Sequence, residues 1–281
     1  MTIRRLGFAF NPTNDAAVHL RQRALAWCKT REVDGWTEPA GELARLRREM
    51  PDTSALIVLG GDGTFLRAAR AAAEAGVPIL GVNLGKVGFL SKVEADDFEP
   101  VLEEIVGGAY SIDERMTLRG LILPAGGKKG GREVFALNDI VVARGSLARV
   151  VRLDVAIGPS HVATFIADGL IVASPTGSTG YSFSAGGPIL DPVSRNLVVT
   201  PIAGYLSAIR SVVASPSQTV RVRIVDAHEA VLSVDGYDDI PLNVGDVVEV
   251  SAREAPIRFV EPRSAMPFWD LLRHKVELLP S

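Results

Sequence analysis

Cysteine is almost missing from this chain of 281 residues: Cys28 stands alone. A disulfide framework within the chain is therefore excluded, and a reducing compartment is the consistent setting. Histidine is scarce too. His19, His161, His228 and His274 are scattered without metal-ligand spacing, so no metal site held by protein side chains is expected. A net charge of −3 lacks the basic face that non-specific nucleic-acid binding needs. No apolar run reaches transmembrane length. Ile3-Arg4-Arg5 leads into a short strand-like run and not into the apolar core of a signal peptide. Neither a polybasic segment nor a basic amphipathic helix offers a hold on a membrane surface. The expectation is a soluble cytoplasmic protein with neither a nucleic-acid nor a membrane partner.

The common catalytic loops are missing as well. No G-x-x-x-x-G-K-[ST] spacing occurs, and Gly61-x-Gly63 meets Leu66 where a dinucleotide fingerprint places its third glycine. Gly180-Tyr181-Ser182-Phe183 runs into Ser184, so the G-x-S-x-G elbow of serine hydrolases fails. No internal repeat or low-complexity tract is present.

What is present is ample core material, 47% hydrophobic with 22% charged residues, enough for one large or two ordinary domains. Up to about residue 113 the pattern alternates between strands and helices: a strand at Leu6–Phe10, a helix from Asp15, a strand at Ala55–Leu59, another at Val77–Val82, and a helix after Asp96 that ends at Gly107-Gly108. Such alternation predicts a parallel sheet with helices on its faces. From Met116 the pattern changes to strand after strand, including Thr117–Leu123, Glu133–Ala143, Val150–Ile157, Val162–Ser174 and Ile257–Val260. The glycine–lysine stretch 126–131 reads as a hairpin tip. Residues 114–263 are expected to form a second, mostly β domain, with a terminal helix within 264–281 packing back on the first.

Two stretches carry chemistry. In the first, the Ala55–Leu59 run is followed by Gly60, Gly61, Asp62 and Gly63, then by an alanine-rich helix that stops at Gly76. A strand, a glycine turn and a helix N-terminus together welcome anions. An acid in that place either caps the helix or has a task of its own, such as taking a proton or holding Mg²⁺. In the second, Pro175 to Pro188 is crowded with Thr176, Ser178, Thr179, Tyr181, Ser182 and Ser184 between glycines. These hydroxyls suit ribose and phosphate oxygens, and the glycines allow close backbone approach; a surface loop without a ligand is the alternative. Asn138-Asp139 interrupts an apolar strand, as a bulge or as a ligand contact. Arg149 and Arg152 are further candidates for phosphate.

Taken in order, these pieces resemble the NAD kinase family. The matching residues are Gly60-Gly61-Asp62-Gly63-Thr64, the run Asn83 to Leu90, Asn138-Asp139, Asp168-Gly169, Pro175-Thr176-Gly177-Ser178-Thr179-Gly180-Tyr181, Ser184 to Pro188, and Ser233-Val234-Asp235-Gly236. The GGDGT turn alone is shared with diacylglycerol- and sphingosine-type lipid kinases. The longer PTGSTGY…SAGGP segment decides for NAD kinase, with a lipid kinase or a non-catalytic dinucleotide sensor as the alternatives.

The resemblance implies a Rossmann-like N-terminal domain, a C-terminal β-sandwich-like domain and a ligand between them. It also implies transfer of the terminal phosphoryl group of ATP, with Mg²⁺ or another divalent cation from solution, to the adenosine 2′-hydroxyl of NAD, giving NADP. By the same resemblance Asp62 is the catalytic residue. The substrate-binding set is Asp62, Gly63, Arg67, Phe89, Asn138, Asp139, Arg149, Ile166, Asp168, Thr176, Thr179, Gly180, Tyr181, Ser182, Ser184 and Tyr237. A homodimer or homotetramer with sites completed across subunits is implied too. The chain departs from the family pattern at Ala203-Gly204-Tyr205, where Cys-Pro-His is usual, at Gly180 for Ala, at Ile166 for Arg and at Tyr237 for Gln.

Overall fold

The computed structural model describes residues 3–85, 88–127, 131–146, 149–205 and 209–277. Its contacts gather into two units, Met1–Glu114 with Ile257–Ser281, and Arg115–Pro256.

The first unit holds β1 (Arg5–Phe10), α1 (Asp15–Thr30), β2 (Asp34–Pro39), α2 (Leu43–Glu49), β3 (Ala55–Leu59), α3 (Asp62–Ala75), β4 (Ile79–Asn83), β5 (Ser91–Glu94), α4 (Phe98–Val106) and β6 (Tyr110–Arg115). It alternates as the pattern predicts except for β5 and β6, strands that the pattern does not mark. Strands β3 and β4 are buried along their whole length, as continuous apolar runs in a parallel sheet must be. β1 lies parallel between β2 and β3, and β4 lies parallel to β3. Local chemistry sets the helix ends. Asn14 caps α1 by accepting the Ala17 N–H, and Gly76 at φ 65° ends α3, with the N–H groups of Gly76 and Val77 both returning to Ala72 O. The buried Ala68, Ala69, Ala71 and Ala72 give α3 a small-residue face against its neighbours.

The second unit holds β7 (Leu118–Leu123), β8 (Arg132–Ala136), β9 (Asp139–Arg144), β10 (Val151–Ile157), β11 (Ser160–Ala167), β12 (Gly169–Ala173), α5 (Tyr181–Ser184), β13 (Leu197–Ile202), β14 (Val212–Ala214), β15 (Val220–Asp226), β16 (Ala230–Val234), β17 (Tyr237–Leu242) and β18 (Val247–Ala252). They form two antiparallel sheets, in the orders β11-β10-β15-β18-β7-β8 and β14-β13-β12-β9-β16-β17. One apolar core joins inward residues of both, among them Leu118, Leu153 and Val155 from the first sheet and Ile140, Leu170 and Leu232 from the second. This is a β-sandwich.

Three strand expectations are corrected. Glu133–Ala143 is not one strand but β8 and β9, which belong to different sheets, so Leu137-Asn138 is a crossover and not a bulge. Val162–Ser174 likewise divides at Asp168 into β11 and β12, again in different sheets. The last strand, β19 (Ile257–Pro262), joins the first unit's sheet between β4 and β6 and not the β domain. There Phe259 stacks on Phe65 of α3 at 5.2 Å between ring centroids. Alternation shows that a strand has a buried face, but not which sheet takes it. The helix α6 (Phe268–Glu277) follows in the same unit, with Leu271 buried. Residues 128–130 of the hairpin tip expected at 126–131 lie outside the described residues.

Candidate active site

In the first unit the site is built on the start of α3. Gly61 is the N-cap and Asp62 the first helical residue. The Asp62 carboxylate instead reaches the loop that follows β4. Its Oδ2 accepts the Phe89 N–H at 2.8 Å, and its Oδ1 accepts those of Leu90 and Ser91 at 3.1 Å each. A Cβ at Gly88 would run into Oδ1, so only glycine admits the carboxylate there. A carboxylate offers about four lone-pair sites, which leaves acceptor capacity on Oδ2. Neither a plain cap nor a free acid describes this residue.

Phe89 is half-buried, and α6 brings Lys275 Nζ to 3.9 Å from its ring centroid. Burial holds Lys275 below the usual lysine range, against the pull of the Asp62 charge. Gly63 and Arg67 are exposed in the first turns of α3. Lys86 and Val87, inside the matching run Asn83 to Leu90, lie outside the described residues.

In the second unit the Leu137-Asn138 crossover meets the turn after β12. Ser174 N–H donates to Asn138 O at 2.8 Å and Ser174 Oγ to Leu137 O at 2.5 Å. Residues 176–179 then make one turn of 3₁₀-helix and α5 follows, so the expected loop is ordered by its own hydroxyls. Ser178 Oγ donates to Pro175 O at 2.6 Å and accepts Leu190 N–H at 2.9 Å. Gly177 packs directly on the Asn138 backbone, where any Cβ would overlap Asn138 O. A Cβ at Gly180 would stand 3.8 Å from Asn138 Nδ2 and 3.9 Å from Asp139 Oδ2. Asn138, Asp139, Thr176 and Gly180 are thus gathered.

This cluster carries unsatisfied polarity. Asn138 Oδ1 and Thr176 Oγ1 are buried without a hydrogen-bond partner. Asp139 is 5% exposed, and burial together with the neighbouring Asp235 raises it to about 7. Asp235 is raised to about 6 by burial, opposed by the N–H groups of Leu137, Asn138 and Asp139 that it accepts.

Other expected residues are placed elsewhere. Ser182 is fully buried, and its hydroxyl shares a hydrogen bond with Thr200 at 3.1 Å. Thr179 Oγ1 donates to Thr176 O at 3.2 Å, while Tyr181 and Ser184 are exposed. Tyr237 opens β17, beside the Asp235-Gly236 turn. Ile166 and Asp168 lie at the far end of β12 from Ser174, and Arg149 is exposed in the segment after β9. The Asp168 carboxylate pairs with Arg144 at 2.8 Å, and Ile166 O accepts the N–H of the exposed Tyr205 at 2.8 Å.

The family model described as ATP-NAD kinase N-terminal domain matches residues 7–110, and the ATP-NAD kinase C-terminal domain matches 137–262. The chain belongs to the NAD kinase family. It is 39% identical to the NAD kinase of Heliobacterium modesticaldum over 97% of this chain and 98% of that one. It is 43% identical to the NAD kinase of Moorella thermoacetica over 79% and 70% of the two chains. Among solved structures it resembles yeast NADH kinase complexed with NADH, with a TM-score of 0.83 and 25% identity over 99% of this chain and 88% of that one. An Archaeoglobus fulgidus NAD kinase in complex with ATP gives 0.77 and 25% over 98% and 100%.

Beside the NAD kinase motifs the structure adds residues that sequence reasoning left out of the site. Ser174 and Asp235 hold the crossover, Arg144 holds Asp168, and Lys275 approaches Phe89. Ser233-Val234-Asp235-Gly236 was a signal for Asp235. Nothing in the local pattern around Lys275 marks it.

Proposed function

We propose that this chain is an NAD kinase, transferring the terminal phosphoryl group of ATP to the 2′-hydroxyl of the adenosine ribose of NAD and releasing NADP. The observation that carries the reading is the buried polar cluster at Asn138, whose Oδ1 lacks a partner, as does Thr176 Oγ1. Leaving such atoms unpaired costs roughly 1–3 kcal/mol each, a cost that a hydroxyl- or amide-bearing ligand removes. A dinucleotide supplies both groups. Asn138, Asp139, Thr176 and Gly180 hold it, with Tyr181, Ser184 and Tyr237 at the rim.

Asp62 takes the proton. A ribose hydroxyl is a weak nucleophile at neutral pH, and a fixed carboxylate that accepts its proton as the phosphoryl group arrives lowers the barrier. The three backbone N–H groups orient the carboxylate and leave Oδ2 able to accept one more. Phe89, Gly63 and Arg67 line the same turn. Among the described residues no three His, Cys, Asp or Glu side chains converge as a metal cage. Mg²⁺ enters with ATP, held by its phosphates, as part of the substrate.

The working form is a homodimer or homotetramer. Ile166 and Asp168 are separated from the Asn138 cluster by the length of β12, roughly 15–20 Å. A second copy can bring its Ile166–Asp168 end to the Asn138 cluster of the first. The exposed Tyr205, Tyr181 and Val213 are apolar surface for such a contact. No helix among the described residues is long and apolar enough to cross a membrane, and we place the enzyme in the cytoplasm.

The test is purified protein with NAD, ATP and Mg²⁺, with NADP detected by an NADP-specific dehydrogenase. NADP formation is expected. Lipid phosphorylation without NADP, or NAD binding without turnover, would overturn the reading. Light scattering that showed active monomers at micromolar concentration would remove the oligomer.

A further inference from the structure

At a crossover between two sheets the backbone leaves one ladder before it has entered the next, and its polar groups need other partners. At Leu137–Asp139 all six have one. The N–H groups of Leu137, Asn138 and Asp139 donate to the Asp235 carboxylate at 2.8, 2.7 and 3.1 Å. The carbonyls of Leu137 and Asn138 accept from Ser174 Oγ and N, and that of Asp139 accepts Asp235 N–H at 3.0 Å. Asp235 thus answers four of the six groups, and from a different strand pair. The backbone is fully occupied while the Asn138 side chain keeps an unpartnered Oδ1.

We propose that Asp235 is a positioning residue for dinucleotide binding, holding the Leu137–Asp139 crossover so that the Asn138 and Asp139 side chains face the substrate. This rests on the functional reading above and extends it to a residue that touches the crossover and not the ligand.

A simpler account makes Asp235 a turn residue. Asp235 and Gly236 join β16 to β17 with φ of 51° and 75°, the two-residue hairpin turn in which Asn-Gly and Asp-Gly are favoured. That accounts for the backbone conformation but not for the carboxylate, which is turned onto another strand and takes three N–H groups. The two accounts separate on substitution. Asp235→Asn keeps a favoured turn and retains Oδ1 for Asn138 and Asp139, but sets an NH₂ group against the Leu137 N–H. Asp235→Gly also permits positive φ and removes every side-chain acceptor.

The experiment measures KM for NAD and for ATP, kcat and melting temperature for the wild type, Asp235→Asn, Asp235→Gly and, as reference, Asn138→Ala. We expect KM for NAD to rise about two- to tenfold in Asp235→Asn and further in Asp235→Gly. KM for ATP should stay within about twofold, and Asp235→Asn should stay folded but melt several degrees below the wild type, its turn being intact while the Leu137 N–H loses its acceptor. A folded Asp235→Asn and Asp235→Gly pair with wild-type KM for NAD, beside a raised KM in Asn138→Ala, would overturn the positioning role and leave the function standing. Should Asp235→Gly fail to fold, the Asp235→Asn result decides alone. A wild-type KM in Asn138→Ala removes the cluster from the site, and this inference with it. No NADP from the wild type would instead refute the function itself.

Discussion

The backbone N–H of Phe89 donates to Asp62 Oδ2 at 2.8 Å, tying the first residue of α3 to the loop after β4. Asp62 therefore has two tasks, one structural and one proposed as chemical. Asp62→Asn keeps Oδ1 for Leu90 and Ser91 but turns an NH₂ toward the Phe89 N–H. As a lost general base it should lower kcat by about 10²–10⁴-fold. As a lost charge-assisted hydrogen bond, worth roughly 1.5–3 kcal/mol, it should also lower the melting temperature by several degrees. Steady-state kinetics and a thermal melt read the two effects separately. Near-wild-type turnover would make Asp62 purely structural.

Gly88→Ala tests the same carboxylate without touching it. The new Cβ would overlap Asp62 Oδ1, so the carboxylate or the loop must move. We expect kcat to fall at least about tenfold, since displacing a fixed catalytic group by about 1 Å can cost 10²-fold. A variant with normal kcat would show that the loop yields without disturbing the acid.

Asn138→Ala should raise KM for NAD about two- to tenfold, the worth of one hydrogen bond of roughly 0.5–1.5 kcal/mol, with little change in melting temperature because Oδ1 has no partner within the protein. An unchanged KM would show that the orphaned oxygen does not meet the substrate.

The pair Asp139–Asp235 makes stability depend on pH in a definite direction. Both carboxyls are raised by burial, to about 7 and about 6, and Asp139 further by the Asp235 charge. An acid raised in the folded state binds protons that the unfolded chain has already lost, so this contribution falls as pH climbs from about 4 to about 7. Asp139→Asn removes the larger share of that penalty. Relative to the wild type it should gain on the order of 1–3 kcal/mol at pH 8 and close to nothing below about pH 3.5, each pKa unit being worth about 1.4 kcal/mol. Melts of both proteins across that range check it. A difference that does not vary with pH would show that Asp139 ionises normally in the fold.

Residue order alone determined the alternation of strands and helices up to α4, β5 excepted, the change to strands after Met116, the stop of α3 at Gly76 and the two chemical stretches. These are local properties. An apolar run of strand length, a glycine at positive φ and a row of hydroxyls each carry their signal within a few residues. The family motifs added the substrate class in the same way. Only the tertiary structure decided which sheet each strand joins, and so that Asn138 and Asp168 mark crossovers and that β19 returns to the first sheet. It also turned Ser182 inward, set Asp235 beneath Asn138 and brought Lys275 over Phe89. Those relations join residues far apart in sequence. They depend on which backbone groups remain without a ladder partner once the sheets have formed, and no local pattern records that.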